Sequence, residues 1–228
     1  MHPEIVLLRH GQAAFGAQHY DQLSALGARQ CAAVAEHWLR LRREWPGVVR
    51  GRLARHRDSL GAIASTYALA GVALPEARID PGLDEHPGLE LMQIHAGDLS
   101  TSPFDHADAQ RSAYFARFRA LMQAWMRDEL DVGDLPRWSQ FQAAVEHALD
   151  GAIDMARSEG SVLLVTSGGV AALTATKALG LAPERFVELA LQLGNAARVH
   201  LRVGRHGLQL VAFNETSGLD SAELRTFL

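Results

Sequence analysis

Residues 4–13 read EIVLLRHGQA, a short unbroken apolar run from Ile5 to Leu8 that stops at Arg9-His10-Gly11. An apolar run without alternation suits a strand covered on both faces, as in a parallel sheet. Its counterpart lies far along the chain: residues 161–170 read SVLLVTSGGV, a second apolar strand that Ser167-Gly168-Gly169 turns into a helix ending near Gly180. Between the two, helical and strand patterns alternate. Leu26, Val34, Trp38 and Leu41 recur at helical spacing behind Ser24 as N-cap, and the pattern stops at Pro46-Gly47. Val48-Val49 opens a second strand, Asp58 or Ser59 is placed to cap a helix through Ala70 that Gly71 ends, and Ile79 marks a third, weaker strand. Such alternation predicts an α/β fold with a mostly parallel sheet and helices on both faces.

From His86 to Pro136 the pattern changes, with Pro103, Gly133 and a helical stretch carrying Tyr114, Phe115, Phe118, Met122, Trp125 and Met126. We read it as an inserted helical cap, its aromatic stripe serving core packing in preference to a substrate pocket. Residues 138–157 form a further amphipathic helix, and residues 197–203 and 208–213 alternate around Gly204-Arg205-His206-Gly207 as a hairpin.

Composition bounds the function. The 228 residues, 48% hydrophobic and 21% charged, fit one well-packed domain and exclude a disordered chain. The most apolar stretch, Val162 to Leu181, is interrupted by Thr166, Ser167, two glycines and Lys177, so no membrane span is expected. The opening MHPEIVLLRH lacks the form of a secretory leader, and a cytoplasmic protein is expected. Cys31 is the sole cysteine, which excludes an internal disulfide and a cysteine metal cage, and no pair of the 11 histidines has metal-ligand spacing. A net charge of -4 argues against a nucleic-acid partner, although arginines crowd the stretch from Arg40 to Arg57 and can supply an anion site.

In open α/β sheets ligands bind beyond the carboxyl ends of the strands. Polar residues stand there after each predicted strand: Arg9 and His10, then Arg55, then Glu85, then Ser167. Two guanidiniums, an imidazole and a carboxylate suit phosphoryl transfer. The arginines hold the phosphoryl oxygens, His10 attacks phosphorus, and Glu85 protonates the departing oxygen before activating water. Arg52 and Arg57 compete with Arg55 for its role, and Asp84 and Glu90 with Glu85.

The ordered set of motifs resembles the histidine phosphatase superfamily, also called phosphoglycerate mutase-like. Leu7 to Ala13 looks like its Arg-His-Gly signature. Asp21, Leu23, Ser24, Gly27 and Gln30 resemble its D-x-L-[ST]-x-x-G-x-x-Q run. Gly51, Leu53 and Arg55 resemble its second arginine motif, Leu83-Asp84-Glu85 its L-x-E, residues 162–170 its late strand and glycine turn, and Asn195 an asparagine before the closing strands. The resemblance implies a three-layer α/β/α sandwich and a covalent phosphohistidine at His10. It implies Glu85 as acid, Arg9, Arg55, Ser167 and Gly168 around the phosphate, and no metal or cofactor.

One departure bears on activity. The family usually has a second histidine before the glycine turn, and this chain has Ser167. A neutral, shorter donor there implies a slower phosphatase, since one preorganised donor is worth roughly a hundred- to a thousand-fold in rate. The amides of Gly168, Gly169 and Val170, opening a helix, offer partial compensation. His56 and His86 read as surface residues, with an inward swing of either as a further route to compensation. Gly16, where the family often has asparagine, and the lack of a basic residue after Phe141 speak for hydrolysis over mutase chemistry.

The expected partner is a small phosphate ester or a phosphoprotein. The alternative is a non-catalytic phosphate-binding member of the same fold. A serine-hydrolase reading of Ser167 fails, because the strained elbow needs glycine where Val165 stands.

Overall fold

Val6 and Leu8 turn to one face of strand β1 (Glu4–Arg9), and Ile5 and Leu7 to the other. This period of two explains why an all-apolar run is needed, since both faces are covered. The computed structural model describes residues 2–14, 21–96 and 108–227. In it β1 lies at the centre of a six-stranded sheet, beside β4 (Ser161–Thr166) in parallel register from Glu4↔Ser161 to Arg9↔Thr166. Strand β2 (Gly47–Arg50) pairs with β4, and β3 (Arg78–Ile79) with β2, both parallel. Beyond β1 lie β5 (Arg198–Gly204) and β6 (Gly207–Glu215), giving the order β3-β2-β4-β1-β5-β6 in which β5 alone runs against the rest.

The two faces carry separate cores. Helices α1 (Ala25–Arg40) and α2 (Ala54–Leu69) cover the Val6/Leu8 face with Cys31, Val34, Trp38, Ile63 and Tyr67. On the Ile5/Leu7 face, α5 (Trp138–Glu159) and α6 (Gly168–Ala178) bury Val145, Leu149, Ala152, Val170 and Leu173. The result is the three-layer α/β/α sandwich that the alternation of elements predicts. Helices α3 (Gly88–Ala96), α4 (Asp108–Met126) and α7 (Phe186–Gln192) extend the second core through Leu91, Trp125 and Phe186. Of the positions read from sequence, Gly16 and Pro103 lie outside the described residues. Among the described residues no helix is long and apolar enough to cross a membrane.

Two elements differ from the sequence expectation. Helix α2 begins at Ala54, not at Asp58 or Ser59, because its first free N–H is capped from elsewhere: the Ala54 N–H donates to Asp21 Oδ2 at 2.7 Å. Ser59 is instead a buried position within the helix, and its Oγ accepts from the Gly11 N–H at 3.1 Å. Helix α7, unanticipated, is short and follows a proline turn. Gly71 does end α2, at φ +77, where residues with a side chain are strained.

The D-x-L-S-x-x-G-x-x-Q run acquires a physical meaning. Ser24 caps α1 by accepting from the Gly27 N–H, and Gln30 Oε1 accepts from the Gln12 N–H at 2.8 Å. Gly27 lies against the loop that follows β1, where a Cβ would fall 2.3 Å from the Gln12 carbonyl oxygen and 2.8 Å from its nitrogen. Backbone cannot yield cheaply, so Gly27→Ala is expected to cost about 1–3 kcal/mol by overpacking. Gly61, on α2 with open space around its Cβ position, is the contrasting site, and Gly61→Ala is expected to stabilise by up to about 1 kcal/mol. Urea denaturation of the two variants checks both signs.

Candidate active site

Strand β1 delivers Arg9 and His10 to the carboxyl edge of the sheet. The His10 N–H donates to the Thr166 carbonyl at 2.9 Å, one rung beyond the β1–β4 register, and the His10 carbonyl accepts from the Ala196 N–H. The backbone at His10 is thus held from both sides, and its side chain is buried. Its Nδ1 lies 2.7 Å from the Gly11 carbonyl. A carbonyl only accepts, so Nδ1 carries the proton and Nε2 keeps the lone pair. Burial, and then the charges of Arg55 and Arg9, push the His10 pKa well below its ordinary 6.5. The imidazole is therefore neutral, with an unprotonated Nε2.

Arg55 stands in the first turn of α2. Its Nε–H donates to His10 Nε2 at 3.2 Å, and its Nη1 pairs with Asp21 Oδ1 at 3.0 Å. Asp21 thus fixes both the start of the helix and the guanidinium that the helix carries. The competing arginines face elsewhere: Arg52 pairs with Asp84 at 2.7 Å and Arg57 with Asp58 at 2.8 Å. Asp84 is accordingly turned to Arg52 and away from His10. Arg9 donates through Nη1 to the Leu193 carbonyl, and its guanidinium lies 3.4 Å from where a Cβ on Gly168 would sit.

Glu85 comes from the segment after β3. Thr166 donates through Oγ1 to the Leu83 carbonyl at 2.7 Å, tying that segment to the end of β4, and Glu85 Oε1 accepts from the Gly169 N–H at 3.1 Å. A cleft of about 350 Å³ opens over these groups, and Arg9, His10, Arg55, Glu85 and Gly168 all line it. Five of the six residues read from sequence as the site therefore meet, and with Gly168 the N-terminal end of α6 also faces the cleft, a favourable setting for an anion.

Ser167 does not line the cleft. It is wholly buried, and its Oγ lies 2.7 Å from His56 Nε2. His56, expected at the surface with an inward position as the lesser alternative, is inside. It reads as a surface residue when α2 is started at Asp58; with the helix starting at Ala54, positions 55, 56, 59, 63 and 67 share its inner face and are buried. The His56 ring stands 5.8 Å from that of His10, and burial, followed by the charges of Arg55 and Arg50, pushes its pKa down to about 3.

His86, also expected at the surface, is inside as well. It sits among the rings of Phe118, Trp125, Phe141 and Phe186 at 5.8–6.3 Å, and it lines the cleft beside Glu85. Its Nδ1 accepts from the Gly88 N–H at 3.0 Å, which leaves Nε2 to face Glu85 Oε1 at 3.5 Å. The aromatic stripe of α4 divides between two duties. Met122 and Trp125 are core, as expected, whereas Tyr114, Phe115 and Phe118, earlier on the helix, line the cleft.

Solved structures share this architecture. A putative alpha-ribazole-5'-P phosphatase from Escherichia coli aligns over 93% of this chain and 97% of its own, with 16% identity and a TM-score of 0.64. A phosphoserine phosphatase mutant from Entamoeba histolytica aligns over 95% and 98%, with 17% identity and a TM-score of 0.60. A mycobacterial glucosyl-3-phosphoglycerate phosphatase aligns over 95% and 99%, with 24% identity and a TM-score of 0.60. At these identities the likeness is one of fold. A comparison with curated proteins found no sequence match. The family model for the histidine phosphatase superfamily (branch 1) matches residues 5–216, from β1 to just past the end of β6. The chain belongs to the histidine phosphatase superfamily, branch 1.

Proposed function

We propose that the protein is a phosphatase that hydrolyses a phosphomonoester through a phosphohistidine at His10. The observation that carries this is the state of His10: a neutral imidazole, Nδ1 committed to the Gly11 carbonyl, with Nε2 facing a guanidinium in an open cleft. Without ligand, the Arg55 Nε–H occupies the lone pair that must attack. An arriving phosphoryl group offers that guanidinium a stronger, charge-assisted acceptor. Substrate binding therefore draws Arg55 onto the phosphoryl oxygens and uncovers the nucleophile in one movement.

The transfer then balances as follows. The Nε2 lone pair forms the N–P bond while the P–O bond to the leaving group breaks, and Glu85, in its carboxylic acid form, gives its proton to the departing oxygen. In the second half Glu85, now a carboxylate, takes a proton from water. The water oxygen bonds to phosphorus, the N–P bond breaks, and inorganic phosphate leaves. Arg9, Arg55 and the amide end of α6 at Gly168 stabilise the charge on the non-bridging oxygens in both steps. Ser167 acts from behind the wall, holding His56 in place beside His10.

Acid-quenched labelling with a phosphate ester should give an acid-labile phosphoprotein that is missing in His10→Ala, with turnover lowered by at least about 10³-fold. Arg55→Ala should lose roughly 10²–10³-fold in kcat, and Glu85→Gln should fall most for poor leaving groups. Phosphate affinity without turnover in the wild type would favour the binding-protein alternative and end the catalytic reading.

The neutrality of His10 and His56 also sets the response to acid. Both have folded pKa values below their ordinary 6.5. Above about pH 6.5 the folded and unfolded forms bind equal protons at these sites, and their contribution is complete. As pH falls below that, the unfolded chain takes up protons that the folded one refuses, and stability is lost. For His56 the loss continues down to about pH 3. Each histidine contributes a slope on the order of 1.4 kcal/mol per pH unit in that window. Urea titrations between pH 6 and 4.5 should show a shallower slope in His56→Asn, by about one proton, and an unchanged slope would contradict the buried neutral imidazole.

A further inference from the structure

We infer that the leaving group is a compact apolar or aromatic body carrying no second anionic group. This rests on the phosphatase reading above and deepens it to a substrate class. The cleft has two chemically distinct ends. At the inner end are the two guanidiniums of Arg9 and Arg55. A phosphomonoester carries nearly two negative charges at neutral pH, and it occupies both.

The outer lining is mostly carbon: Leu53, Leu89 of α3, Phe115 and Phe118 of α4 and Leu191 of α7, with the Tyr114 phenol and the His86 ring the neutral polar side chains among them. None of the carbon side chains can hold a carboxylate, a second phosphate or a ring of hydroxyls. Burying a polar group there without a partner is costly, whereas apolar surface placed against the same walls gains about 25 cal/mol per Å².

Among the described residues, the other charged side chains lining the cleft are negative: Asp21, Glu85 and the exposed Glu90. Two nearby arginines face acids of their own, Arg119 pairing with Glu188 at 2.8 Å and Arg52 with Asp84 at 2.7 Å. A leaving group with its own anion thus meets carbon walls and a carboxylate, while one that is neutral and ring-like meets Phe115 and Phe118. The volume, about 350 Å³, falls at the lower end of ligand-binding cavities, about 300–1,000 Å³, and suits a small molecule over a folded phosphoprotein.

The test uses esters of similar leaving-group basicity: benzyl phosphate, ethyl phosphate and 4-carboxybenzyl phosphate. Alongside them are the matching phosphonates, in which a methylene replaces the bridging oxygen. With wild-type protein, kcat/KM should favour benzyl over both ethyl and 4-carboxybenzyl phosphate by at least about tenfold, and calorimetric Kd values for the phosphonates should follow the same order. Phe115→Ala should narrow the benzyl-to-ethyl ratio at least about threefold, and Glu90→Lys should narrow the benzyl-to-carboxybenzyl ratio by as much. His10-dependent turnover that is equal for all three esters would overturn the inferred class and leave the phosphatase reading standing. Phosphonates that bind in the expected order, with no ester turned over, would do the reverse.

Discussion

The hydrogen bond from the His10 N–H to the Thr166 carbonyl is the constraint on which the site depends. It adds one rung to the β1–β4 ladder after the strands themselves have ended at Arg9↔Thr166. Thr166 then serves twice, because its hydroxyl donates to the Leu83 carbonyl and so fixes the segment that carries Glu85. The next residues, Ser167 and Gly168, open α6. The proposed nucleophile His10, the proposed acid Glu85 and the N-terminal end of α6 are therefore referred to a single residue at the end of a buried central strand. Positions set by rigid strands are held more closely than positions set by loops, which a displacement reaction between fixed atoms requires.

How far the sequence discloses this depends on whether the deciding contacts are local. β1 and β4 were legible from their apolar runs, and so was the cap on α1, because Ser24 bonds a residue three positions on. The start of α2 was not. Its N-terminal amide is capped by Asp21, from a segment 33 residues earlier, and nothing near Ala54 advertises a helix end. Capping the helix at Asp58 or Ser59, five or six residues late, carries His56 out of the helical pattern and onto an imagined surface loop. His86 was misread for a related reason: the rings around it come from α4, α5 and α7, which only the folded chain assembles. The candidate residues themselves were legible, apart from Ser167's position, since a strand end is a local feature and the ligand side of an α/β sheet follows from topology. That serine was placed correctly along the chain. Its side chain is buried against His56, and whether a short group emerges or stays buried is decided by neighbours remote in sequence.

The exchange of a histidine for Ser167 looks in one dimension like the loss of a donor. In three dimensions an imidazole remains close by, supplied by α2 in place of the turn after β4. A buried histidine held neutral, with a serine hydroxyl on Nε2, adds no positive charge beside His10. Two guanidiniums already bring enough: Arg9 and Arg55 are both almost wholly buried, and charge at such depth is tolerated only where partners share it. Asp21 and the Leu193 carbonyl take part of that burden.

The same positive charge has two effects that favour one chemistry. It disfavours a proton on His10, so the lone pair survives in mildly acidic solution, where an exposed imidazole would lose it. It also favours entry of a dianion, whose binding spreads the charge of the guanidiniums over phosphoryl oxygens. A third cation would strengthen the second effect and carry a cost, because it would hold the product phosphate as firmly as the substrate and so add uniform binding in place of selective transition-state stabilisation. Neutral His56, held on Ser167 with its ring 5.8 Å from that of His10, leaves Arg9 and Arg55 as the two cations at the proposed phosphate site.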